Sequence, residues 1–425
     1  MRLPTLALLA VSTLAAADEA RLALEAKGLA DFERVQKALS PPLGDATLCI
    51  QSQAALLPIT TLPEVSALYY RKGYCTLASA AVTDHASEYA AAAAEFEKAI
   101  LHWPSRAALT AKKGPPDPLP SGLRVLSAIA ALRAGADDAG VEKARGTIAT
   151  ALVSPQCGSP LMAEGLCDSV LRLGRQWLGW IDLRRNQAYA AVRNLVGALP
   201  SGWTAWADGR KAFDEGNFRE AALQYRRAMD AWEARRQASV VTFLERLGPA
   251  ADLRAGYADL GAAQLLSGDP KTAAATLTRS IKEDPSDARA LFLRARAREL
   301  SGQPEEALTD YNLASRAAFA AAQDLASGEA HLYRGILLYH RKDYVRAEDE
   351  FASALNFEIP GAFRGDAAAW RHLAAVAAGN CAASRNNLEY ALASVSPYVP
   401  KEEARNRSLA CATNSALAPR AKPAN

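Results

Sequence analysis

The chain has 425 residues, half of them apolar and dominated by alanine, with 49 Lys plus Arg against 46 Asp plus Glu. That even balance gives no global attraction to nucleic acid or to an anionic lipid surface, so a partner has to be chosen by local shape and chemistry. Sparse β-branched and aromatic residues favour helices packed through small side chains over strands, in a chain long enough for a large core or two domains.

The chain starts Met1-Arg2, continues with an apolar stretch from Leu3 to Leu14, and reaches Ala15-Ala16-Ala17 just before Asp18-Glu19. A basic start, an apolar core too short to span a bilayer and small residues ahead of the first charges read as a secretory signal peptide over 1–17. Cleavage is expected after Ala17, leaving a periplasmic or secreted mature protein. No cysteine follows the small residues, which argues against a lipid anchor, and no later apolar run approaches the ~20 residues of a membrane helix.

Residues 18–112 read as an N-terminal helical region with a degenerate repeat: a helix around Leu68–Ala81, then Phe96, Ala99 and Pro104 at the end of a pair. The stretch from Lys112 to Gly122, KKGPPDPLPSG, cannot continue a helix because its prolines lack amide donors, so 113–122 is a Pro-rich loop or linker. Residues 123–200 form a further helical region, loosely like the repeat that follows it in the chain. Leu123–Ala134 pairs with Asp138–Leu152, the loop from Cys157 to Cys167 follows, and Ser169–Leu183 pairs with Asn186–Leu199.

A repeat emerges over 201–400. Gly209 to Ala228 reads GRKAFDEGNFREAALQYRRA, with a turn at Gly216-Asn217 followed by Ala221, Tyr225 and Ala228. The order recurs with Gly261, Gly268, Ala273, Leu277 and Ser280, where Pro285 stops the second helix, and again with Ala295, Gly302, Ala307, Tyr311 and Ala314. Gly268 and Gly302 are 34 positions apart, as are Ala273 and Ala307. A fourth unit supplies Gly335, Tyr344, Ala347, Phe351 and Ala354, 40 positions after the third, which implies an extended helix or loop around Arg316–Ser327. A weaker fifth surrounds Trp370, Gly379, Ser384, Leu388 and Ala391. Residues 401–425 read as a C-terminal helix cap and a tail, disordered from Ala416.

A 34-residue period of paired helices with small and aromatic residues at these positions resembles the tetratricopeptide repeat family. The resemblance implies an all-α fold of antiparallel helix pairs stacked into a right-handed superhelical solenoid, with small residues at the helix crossings and Tyr225, Leu277, Tyr311 and Phe351 filling the space between successive pairs. It also implies a concave surface lined mainly by the first helix of each pair. On this chain that face carries Trp203, Trp206, Arg210 and Phe213, then Arg289, Phe292, Arg296 and Glu299, then Leu332, Ile336 and Tyr339. Arg294 and Arg334, ahead of small residues, read as structural. Aromatic residues and arginines together are what protein-binding hot spots favour. The expected function is therefore an exported scaffold that binds a protein or peptide through this groove, with Arg210, Arg289 and Arg296 meeting acidic groups. The Lys and Asn of the family's carboxylate clamp are missing.

Six cysteines, Cys49, Cys75, Cys157, Cys167, Cys381 and Cys411, include no Cys-x-x-Cys and no histidine at ligand spacing, which argues against zinc. An exported chain uses an even number for disulfides. Because elements of a solenoid touch their neighbours, sequential pairing is expected: Cys49–Cys75, Cys157–Cys167 and Cys381–Cys411. No phosphate-binding Gly-rich loop, zinc-protease helix, nucleophile elbow or calcium loop occurs. The histidines are scattered singly, and His340-Arg341-Lys342-Asp343 falls on a turn. The chain is thus read as a non-enzyme without cofactor or metal and without nucleic-acid binding, its oligomeric state unassigned. The alternative is a glycan- or small-ligand-binding protein with Trp177, Trp180, Trp203 and Trp206 as stacking platforms, which requires them exposed in one pocket.

Overall fold

A computed structural model describes residues 5–37, 43–59, 62–110, 119–157, 162–238, 241–357, 360–380 and 399. The expected Cys381–Cys411 bridge, the second helix of the weak fifth unit and the 401–425 tail lie outside them. The described residues are helices joined by turns, with no strand among them. They fall into two compact units. One holds the residues up to Lys211 together with Asp230–Ala251; the other holds Ala212–Met229 and the residues from Asp252 on.

The first unit contains α1 (Thr5–Lys37), α2 (Leu43–Leu56), α3 (Leu62–Thr83), α4 (Ala86–Thr110), α5 (Ser121–Arg133), α6 (Asp138–Val153), α7 (Glu164–Arg184), α8 (Ala188–Leu195), most of α9 (Gly202–Asp214), the end of α10 (Phe218–Gln237) and α11 (Phe243–Leu247). Helix α4 runs through Pro104 to Thr110 instead of stopping there. Its buried face, Tyr89, Ala92, Phe96, Ala99 and Trp103, packs on α3 and carries it past the lost amide. Helix α5 begins at Ser121, two residues before the helix start expected at Leu123. Two expected disulfides are present. Cys49–Cys75 ties α2 to α3, and Cys157–Cys167 ties the segment after α6 to α7.

The second unit contains α12 (Leu253–Leu266), α13 (Pro270–Glu283), α14 (Ala288–Leu300), α15 (Pro304–Ala320), α16 (Asp324–His340), α17 (Tyr344–Leu355) and α18 (Gly361–Ala377), each packed on the one before it. The wide spacing before the fourth repeat is taken up by α15 and α16, at 17 residues each. Asp269, Asp287 and Asp343 cap α13, α14 and α17 by accepting the backbone N–H three positions on, which satisfies one of the donors a helix start leaves open.

The pairs turn over through one residue in left-handed backbone. Gly268 and Gly302 take φ of 89° and 77°, where glycine carries no steric penalty. The same turn after α16 is made by Lys342, at φ 66°, in an exposed position. Replacing Lys342 by glycine should therefore stabilise the protein by about 0.5–1 kcal/mol, the relief of left-handed strain less the extra freedom of the unfolded chain. A higher urea midpoint at unchanged slope is the result to look for.

Candidate functional site

The first helices are held in place by an interlock written at fixed spacing. A Cβ added to Gly261 would lie 2.5 Å from Leu277 Cγ, and one added to Gly335 would lie 2.6 Å from the Phe351 ring. Each large residue stands 16 positions after its glycine, so it presses on the first helix of its own pair, not only on the next pair. Gly179 meets Leu195 at 2.4 Å with the same spacing, and Ala191, 12 after Gly179, is fully buried as are Ala273 and Ala347. The α7–α8 pair thus keeps the repeat register although its turn uses Asn186, at φ 57°, in place of glycine. Gly73 departs from the rule: it meets Phe96, 23 positions on, in the longer α3–α4 pair.

Arg294 acts structurally. Its Nε and Nη2 donate to Asp310 at 2.8 and 2.7 Å, while Arg298 Nη1 donates to the same carboxylate at 2.7 Å. Arg334 reaches Glu350 at 2.9 Å. These bonds bridge first and second helices and fix which way α14 and α16 face.

On that face of the second unit, Phe292 of α14 lies edge-on to Tyr333 of α16 with ring centres 5.4 Å apart, and the Arg296 guanidinium sits 4.6 Å from the Tyr333 ring centre. Arg296 also donates to Glu299 at 2.7 Å, and the Tyr311 hydroxyl donates to the same carboxylate oxygen at 2.6 Å. Burial, followed by the Glu299 charge, pushes the Tyr311 hydroxyl well up, so it stays a donor. Arg289 is paired across to Asp259 of α12 at 2.8 Å. Ile336 is half-buried one turn from Leu332. Glu329, also half-buried on α16, has no hydrogen bond or ion pair among the described residues. Burial raises its carboxyl above the ordinary value, and Arg296 opposes this. A raised carboxyl costs stability as pH climbs from its unfolded value through its folded one.

Several expected contact residues are placed differently. Trp203 is 1% exposed: its ring meets Trp232 and Trp206 at 4.8 and 5.1 Å, and its indole N–H donates to the Pro249 carbonyl. Tyr339 is 6% exposed under Tyr344 and Trp370, and Leu332 is buried as well. These three are core and cannot be touched by a partner, because a neighbouring helix covers each. Trp206, Arg210 and Phe213 are half-buried; Arg210 donates to Asn186 at 3.2 Å, and the Phe213 ring packs on Phe218. Arg289 and Arg296 are already paired with carboxylates of this chain, so they are not open arginines awaiting acidic groups. Glu329 and Tyr333 were missed by sequence, yet the 40-residue offset of the fourth unit carries Arg289 onto Glu329.

The tryptophans do not build a shared exposed pocket. Trp177 is buried with its N–H on the Leu247 carbonyl, and Trp180 is half-buried beneath Arg184. Among the described residues no group of three or more His, Cys, Asp or Glu could hold a metal, and no helix is long and apolar enough to cross a membrane. His331 pairs with Glu350 at 2.8 Å, and His372 is buried.

Interlocked helix pairs at this spacing give the described residues an all-α fold of stacked helix pairs, like that of tetratricopeptide repeats. No protein-family model matches the chain, and no curated protein does. Solved structures of similar fold include MamA (14% identity, 52% of this chain and 96% of that one, TM-score 0.34). A tetratricopeptide repeat protein from Parabacteroides merdae is another (13%, 68% and 99%, TM-score 0.38), as is yeast Tom70 (12%, 96% and 98%, TM-score 0.37). The likeness is one of helix-pair architecture alone.

Proposed function

We propose that the chain is an exported scaffold that holds a protein partner on the first-helix face of its C-terminal repeats and performs no chemistry itself. The observation that carries this reading is the row of half-buried side chains from two successive first helices, Phe292, Arg296, Tyr333, Ile336 and Glu329, gathered on one face. Aromatic and guanidinium groups in such a row bury area and orient a partner at small entropic cost. Export rests on the N-terminal residues 1–17.

A photo-reactive residue at Ile336 should cross-link the mature chain to one protein in the native envelope or secreted fraction, while the same residue at Leu313, exposed on the second helix α15, should not. Equal labelling from both positions, or labelling from Leu313 alone, overturns the reading. N-terminal sequencing of the exported protein should begin at Asp18; a retained Met1 in the cytosolic fraction counts against export.

A further inference from the structure

We propose that this face takes a lysine or arginine side chain of the partner against Glu329, its aliphatic stem lying over the Phe292 and Tyr333 rings; this rests on the reading of the face as partner-binding. Counting the charges there decides the sign. Arg289 is matched by Asp259, and Arg296 is matched by Glu299, whose oxygen also accepts from Tyr311. Glu329 has no partner of its own, only the nearby charge of Arg296, which is already paired with Glu299. It stands one turn before Tyr333 on the same face of α16, half-buried, without a hydrogen bond or ion pair among the described residues.

A carboxylate drawn out of water without a partner is unfavourable, and an arriving cation recovers that loss. An acidic group would have to displace Asp259 or Glu299 and then face Glu329. The rings add a second preference, because aromatic faces and edges accept the apolar stem of a long basic side chain while its head stays on the carboxylate. A lone carboxylate beside aromatic rings also suits an organic cation better than a metal ion, which needs several oxygen ligands. Burial raises the Glu329 carboxyl above its ordinary value against the opposing charge of Arg296, as expected of an acid with no hydrogen-bond partner.

The test uses the full mature chain and two fluorescent alanine–leucine peptides, one carrying lysines and the other glutamates at the same places, read by fluorescence anisotropy. The lysine peptide should bind and the glutamate peptide should bind more weakly. Glu329→Gln should weaken the lysine peptide about tenfold, as loss of one partner of a partly buried charge pair does. The same variant should raise the urea midpoint at pH 7, which shows that it is folded. If Phe292→Ala abolishes lysine-peptide binding while Glu329→Gln leaves it unchanged, or if the glutamate peptide binds more tightly, the face binds proteins but the cation inference falls. If neither peptide binds, both the inference and the reading of the face fail.

Discussion

Asp310→Ala should destabilise the protein by about 3 kcal/mol, the lower end of the cost of breaking a buried ion pair. Asp310 is 1% exposed and accepts three charged hydrogen bonds, two from Arg294 and one from Arg298, all at 2.7–2.8 Å. Removing the carboxylate leaves two guanidiniums one turn apart on α14 with no anion between them. Their side chains are 12% and 24% exposed, so both can turn partly to water, which is why the lower end is expected. Arg298→Met should cost far less, because Arg294 alone still forks both oxygens of Asp310. The double variant Arg294→Met, Asp310→Leu should recover more than half of the Asp310→Ala loss, since a packed apolar pair of similar volume replaces a buried ionic one at little cost. Urea unfolding of the four proteins measures this. A loss below about 1 kcal/mol for Asp310→Ala would reduce the triad to an ordinary surface pair.

Where a feature rests on neighbours along the chain, these residues showed it; where it rests on neighbours in space, they did not. Gly268 and Gly302 expose the 34-residue period because a left-handed turn is a property of a single residue. The Cys49–Cys75 and Cys157–Cys167 bridges followed because consecutive elements of a repeat stack lie side by side. The sequence marks α7–α8 as a loosely repeat-like helix pair but does not give its register. Asn186 hides the turn signal, and only the 12- and 16-residue spacings from Gly179 to Ala191 and Leu195 betray it. The candidate face was half legible. Its helix and its aromatic and arginine content could be read, but the pairing of Arg289 with Asp259 spans 30 positions and depends on how α12 and α14 pack. So does the covering of Tyr339 by Trp370. The charge left over on Glu329 is visible only after those pairs have been assigned.

Phe351→Ala should cost about 4 kcal/mol, within the range for emptying a fully buried aromatic site. Phe351 is fully buried and packs between Gly335 of α16 and the Trp370 ring of α18, 6.3 Å away. Its loss opens a cavity lined by both neighbours, which cannot close without moving α16 toward α17. Gly335→Ala attacks the same contact from the other side. The new Cβ would come within 2.6 Å of one ring carbon and 2.9 Å of another, and the ring is fully buried. Overpacking of this kind costs about 1–3 kcal/mol, offset in part by the better helix propensity of alanine. The two effects should not add. In Gly335→Ala with Phe351→Leu, the smaller side chain leaves room for the methyl group, so the double variant should be more stable than the sum of the single losses by about 1 kcal/mol. A double-mutant cycle from urea midpoints reads that coupling. Simple additivity would mean that α16 shifts freely on α17, and the face carrying Glu329 and Tyr333 would then lack the rigid support that a preorganised binding surface needs.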